Sequence, residues 1–195
     1  MSDHRNTFIA RAVLLSLAWI GSFTVVGLCR AQPAAPSAPA PAKRAVGTPK
    51  PEVYANLGQL MRGILFPNSN VIFAAQSDDP AKVPPAKDPS TSTNPLASTY
   101  GGWTAVENSA LALSEAANLL ILPGRKCANG RLVPINNPDW PKFVQGLREA
   151  GMTAYKAAQS KSQDNILTAA DVVTTACSNC HDKYREKPTL ADRCK

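Results

Sequence analysis

SQDNILTAADVVTTACSNCHDKYREK, residues 162–187, is the stretch that decides the fold. Ile166, Ala170, Val173, Cys177, Cys180 and Tyr184 recur at steps of three or four, the spacing of one face of an α-helix. Ser162 to Asp164 supply capping side chains at its start, and Pro188 closes it. Positions i, i+3 and i+4 share a helix face, so Cys177, Cys180 and His181 stand together within about one turn.

Working back along the chain, the same rhythm appears three more times. Asn137 or Asp139 can cap a helix with Trp140, Phe143 or Val144, Leu147, Gly151, Ala154 and Ala158 on one stripe, ending near Ser160. Before it, Thr104 and Glu107 form a capping-box pattern. That pattern opens a run with Val106, Ala110, Leu113, Ala117, Leu120 and Ile121 on one stripe, stopped by Pro123-Gly124. The first run, roughly 52–76, carries Leu57, Met61, Ile64, Asn68, Ile72 and Ala75, and Pro67 within it predicts a kink. Residues 77–102 are rich in Pro, Ser and Thr without an apolar period and predict a long exposed loop. No segment alternates as a strand does. The expected fold is all-α, an antiparallel four-helix bundle over residues 51–195.

Residues 12–28, AVLLSLAWIGSFTVVGL, are uncharged and apolar between Arg11 and Arg30, as the hydrophobic region of a secretory signal is. Residues 1–31 are therefore expected to be a signal peptide cut after Ala31, and 32–50 a flexible Pro/Ala-rich tail. An uncleaved membrane anchor is the alternative, since the run is close to the ~18 apolar residues that span a bilayer. Residues 1–31 hold Arg5, Arg11, Arg30 and Asp3, so without them the formal net charge falls from +7 to +5. That excess suits an acidic docking surface on a partner. No basic run with interleaved aromatics exists, which argues against nucleic acid.

In an exported chain, Cys177-Ser-Asn-Cys180-His181 is the pattern of covalent haem c attachment: two thioethers to one porphyrin and an imidazole beneath its iron. A dithiol redox pair, a disulfide, or half of a zinc site completed by Cys127 and Cys194 are the competing readings. The histidine that follows the pair, and the absence of a βαβ setting, favour haem. In an up-down-up-down bundle the second interhelical loop and the end of the last helix lie at one pole. Cys127 and Cys194 are therefore expected to form a disulfide.

His4 lies in the leader, so His181 is the one histidine left after cleavage, and a second iron ligand from this chain must be Met61 or Met152. At 1.5 Å per residue, Met61 and His181 sit ~10–15 Å and ~10 Å from the same pole, whereas Met152 is ~18 Å away and is expected to be core packing. The alternative for Met61 is to cover an open, five-coordinate iron.

With its attachment motif near the C-terminus of four helices, the chain resembles the class II cytochromes c, the cytochrome c′ group. CSNCHDKYREK is the stretch most like their last helix. The resemblance implies that Arg185 lies beside the imidazole, that Tyr184 packs near the haem, and that subunits can pair through the first helix. The long loop at 77–102, the Cys127/Cys194 pair and the lack of an arginine just before Met61 depart from it; Arg62 is the residue left to meet a propionate. The expected function is periplasmic electron transfer to other redox proteins through one haem c. The competing function is binding of NO or CO at an open iron. A peroxidase needs a distal histidine that the cleaved chain lacks, so no enzymatic activity is expected.

Overall fold

The computed structural model describes residues 50–194, so the expected leader and nearly all of the expected tail lie outside the described residues. Among the described residues there is no strand, only one isolated bridge between Lys126 and Leu132, and no helix is long and apolar enough to cross a membrane. Four helices pack together.

The first begins at Leu57, later than the apolar rhythm suggested. Asn56 and Gln59 each accept the other's backbone N–H through their side chains, at 2.8 and 2.9 Å, a capping box that fixes the start. The helix continues as α1 (Leu57–Leu60), a π turn (Met61–Leu65) and α2 (Phe66–Ser77). The irregularity expected at Pro67 falls one turn earlier. Pro67 has no N–H for the Gly63 carbonyl and its ring crowds that oxygen. The preceding turn widens, so that the Phe66 N–H meets the Met61 carbonyl instead. The buried stripe shifts accordingly: Leu60, Leu65 and Ser69 are buried where Met61, Ile64 and Asn68 were expected, and those three are half-buried.

The 77–102 segment is a long and largely exposed loop, as its composition suggests, but it is pinned to the core near its end. Leu96 is 2% exposed and belongs to the core, and its carbonyl receives the Gly102 N–H at 2.8 Å. A Cβ on Gly101 would stand 2.4 Å from that same oxygen, and Gly102 has φ +59, so both glycines are required by the close turn. That turn is the start of α3 (Trp103–Ala116), which places Thr104 and Glu107 inside the helix; the expected capping box does not form. A 3-10 turn (Ala117–Ile121) follows, and its tighter winding keeps Leu120 buried but turns Ile121 outward, off the stripe.

α4 (Trp140–Gln159) and α5 (Gln163–Tyr184) are joined by a turn at Ser160–Ser162, where the Ser162 hydroxyl accepts the Asn165 N–H. Asp139 occupies the position before α4, yet its carboxylate does not cap the helix. Each helix packs on its two neighbours around a ring: the first on α3 and α5, α4 on α3 and α5. Gly151 is what lets α3 and α4 approach, since a Cβ there would lie 2.4 Å from Ser114 Oγ and 2.9 Å from the Ala110 carbonyl. Ser114 then donates across the interface to the Arg148 carbonyl at 3.0 Å. Met152, one step around the helix, is 37% exposed and not the core residue it was expected to be.

At one pole the Leu57 N–H donates to the Lys126 carbonyl at 2.8 Å, and Cys127 is joined to Cys194. At the other, the Gln163 side chain donates to the carbonyls of Ala75 and Gln76.

Candidate functional site

The last two turns of α5 carry Cys177, Cys180 and His181, all half-buried. The helical spacing that brings them together is the one seen in the sequence, and Val173 and Tyr184, both buried, anchor the same helix face on either side. All three face a cavity of about 430 Å³ between the first helix, α4 and α5. Met61, Phe66 and Phe73 line it from the first helix, and Trp140, Phe143 and Leu147 from α4. Its charged lining groups are Arg62 and Arg185; no carboxylate lines it.

Burial raises the Cys177 thiol above its ordinary value, against the opposing charge of Arg185. Burial, with smaller contributions from Cys177 and Asp139, pushes Cys180 up to about 11. Burial first, and then Arg185, lowers the His181 pKa, which leaves a neutral imidazole with a free lone pair near pH 7. Neutral thiols and a neutral imidazole on an apolar wall are donors awaiting an apolar, electrophilic or metal-bearing partner rather than an exposed catalytic dithiol.

A second, small cavity of about 20 Å³ adjoins the same residues and is lined by Met61, Cys180, His181, Tyr184, Arg185 and Cys194 among others. Met61 and His181 thus border both spaces, whereas Met152 borders neither. Arg62 and Arg185 reach the large cavity with exposed side chains, Arg185 also pairing with Glu186. Tyr184 does not line the large cavity. Its ring packs edge-on against Trp140 at 5.0 Å and Phe143 at 6.2 Å, one layer behind the wall those two residues form.

The phenol of Tyr184 donates to the Asp139 carboxylate and accepts from the Asn137 side chain at 3.3 Å, and Lys183 stands 3.6 Å from Asp139. That occupies both candidate caps of α4 with the last turn of α5, a use that no local pattern signals. Trp140, read from its stripe as core, also forms cavity wall, its ring held by an Nε1–H bond to the Leu120 carbonyl at 3.1 Å. Phe66 and Phe73 lay off the expected stripe and are brought to the cavity by the shifted face of the first helix.

The cysteines bear on the competing chemistries. Cys127 and Cys194 are joined to each other, Cα–Cα 4.9 Å, so neither is free to complete a zinc site; Cys177 and Cys180 are free thiols, not a disulfide. Among the described residues no three His, Cys, Asp or Glu side chains gather into a metal cluster. What is present suits a large apolar ring held at two sulfurs and one nitrogen: a greasy cavity, three donors on one wall and two guanidiniums to meet acidic substituents. Compared with protein-family models, with curated proteins and with solved structures, the chain finds no match in any of the three.

Proposed function

We propose that the chain is an exported monohaem c-type cytochrome, an antiparallel four-helix bundle of the class II kind, whose work is electron transfer in the periplasm. One observation carries the reading: free Cys177 and Cys180 and a neutral His181 share one wall of an apolar cavity that Met61 enters from the first helix. The apolar run at 12–28 supports export, the setting in which this motif is loaded.

Haem c, once attached, supplies a reversible Fe(II)/Fe(III) couple. Cys177 and Cys180 would hold it through thioethers, and a ring nitrogen of His181 would bind the iron. Met61 would offer the iron a thioether, which would favour the reduced state. Phe73, Trp140 and Phe143 give the cavity an apolar wall, and the packed layer of Tyr184 behind Trp140 holds that wall rigid, so little rearrangement accompanies a change of charge. Arg62 and Arg185 would meet the propionates at the cavity mouth, and the positive excess of the chain as a whole suits an acidic redox partner. Binding of NO or CO at an open iron is the competing use of such a cavity, and the entry of Met61 into it weighs against that use.

The deciding experiment is the mass of protein secreted into a periplasm, with acid-acetone extraction and oxidised and reduced spectra. The expected mass is the cleaved polypeptide plus one haem, with pigment that does not extract. A bare polypeptide mass with removable or absent pigment would sink the reading. Rapid CO binding to a high-spin reduced form would replace electron transfer with gas binding.

A further inference from the structure

The geometry points to Pro67 and the π turn at Met61–Leu65 as the device that aims Met61 at the cavity, an inference that rests on the haem reading above and deepens it. Residues of an α-helix advance about 100° each around its axis. Ile72, wholly buried, marks the direction of the core. Counting from it, Ser69, Phe73 and Phe66, which line the cavity, lie at roughly +60°, +100° and +120°. The cavity is therefore centred near +90°, on the flank of the helix.

In an unbroken α-helix Met61 would fall at about −20°, in line with Ile72, and Arg62 would take about +80°. The π turn holds one residue more than an α turn, so everything before it moves round by one position. Met61 then lies at about +80°, facing the cavity, and Leu60 takes the place in line with Ile72. Burial agrees with the second register and not the first: Leu60 is 4% exposed, Arg62 is exposed, and Met61 is half-buried and borders both cavities. Pro67 keeps the register in place because a regular helix would need an N–H at Pro67 for the Gly63 carbonyl and would drive the ring into it. The Asn68 side chain donates to the neighbouring Ile64 carbonyl at 2.6 Å, serving the turn that the proline disrupts. Pro67 is thus a positioning residue, acting through Met61.

The test moves the sulfur rather than removing it. Met61→Leu is expected to abolish the sulfur-to-iron charge-transfer band of the oxidised protein. Met61→Leu combined with Arg62→Met is expected to leave it absent, because in the π register position 62 lies about 100° beyond Met61, on the exposed side of the helix from which the long Arg62 side chain reaches only the cavity's edge. Deleting Gly63 together with Pro67→Ala removes the extra residue and the proline at once, leaving a regular helix in which Met61 keeps its direction; the band is expected to persist. Return of the band in the shifted-methionine protein overturns the inference, as does its loss in a folded, haem-loaded deletion protein. The point substitutions decide the matter if the deletion protein does not fold. Wild-type protein of full haem-loaded mass but with high-spin iron and no sulfur band overturns this inference alone, whereas a bare polypeptide mass overturns the haem reading with it.

Discussion

Tyr184 shows how much one side chain in this molecule holds. Its ring closes the layer behind Trp140, while its phenol ties α5 to the start of α4 through Asp139. The Tyr184 hydrogen bond, aided by the Lys183 charge, keeps the Asp139 carboxyl below its ordinary value of 3.8. A carboxylate with a depressed folded-state pKa stabilises the fold above its unfolded pKa, and that contribution is lost as pH falls through the folded value. Asp139→Asn is therefore expected to lower the melting temperature at pH 7 and to flatten its fall between pH 4 and the more acidic folded-state pKa. Thermal unfolding followed over that range checks it, and an unchanged acid limb would refute the assignment. The chemistry-bearing residues were legible because they are local: Cys177, Cys180 and His181 lie within five positions. Asp139 and Tyr184 are 45 positions apart, and nothing near Asp139 distinguishes a cap from a long-range partner.

Among the elements, the α3–α4 contact is the tightest. Gly151→Ala puts a methyl 2.4 Å from Ser114 Oγ and 2.9 Å from the Ala110 carbonyl, so the helices must part. Overpacking of this kind costs about 1–3 kcal/mol, and the loss of the Ser114 bond to the Arg148 carbonyl adds to it. Urea unfolding measures it; a change below about 0.5 kcal/mol would mean the helices separate freely. Leu96→Ala belongs to the same scale. It tests the claim that the 77–102 segment is core-anchored, with a cost of about 2–5 kcal/mol expected against almost none for an exposed loop. Helix existence was readable from the apolar rhythm of all four segments, and the details that failed share a cause. A proline announces a disturbance, but whether it becomes a kink or a π turn depends on which neighbours fit the core, here Leu60 in place of Met61. The Thr104/Glu107 pattern was correct chemistry at the wrong position, because the Gly102 N–H is taken by the Leu96 carbonyl and the helix starts two residues too soon for it.

For the whole molecule, the Cys127–Cys194 bond spans 67 positions and is reinforced by Asn129, whose side chain donates to the carbonyls of Ala191 and Arg193 at 2.8 Å. Closing a loop of that length lowers the entropy of the unfolded chain by an amount worth about 4 kcal/mol. Cys127→Ser with Cys194→Ser is accordingly expected to lose about 2–4 kcal/mol of stability while leaving the α5 wall of the cavity in place. Equal denaturant midpoints for the two proteins would show that the link stabilises nothing. Arg125, 4% exposed, adds a second tie at this pole, donating to the carbonyls of Leu119 at 3.1 Å and Ala55 at 2.5 Å.

The same bond divides the chain into two kinds of territory. Residues 127–194 form a covalent ring that contains all of α4, all of α5 and the Cys177–His181 motif, whereas the first helix, the 77–102 segment and α3 are outside it. A single protease cut after Arg148 leaves a nicked molecule that still runs as one species on a non-reducing denaturing gel and falls into two only when thiol is added. A cut in the 77–102 segment separates the pieces at once, and the fragment carrying Met61 departs from the fragment carrying His181.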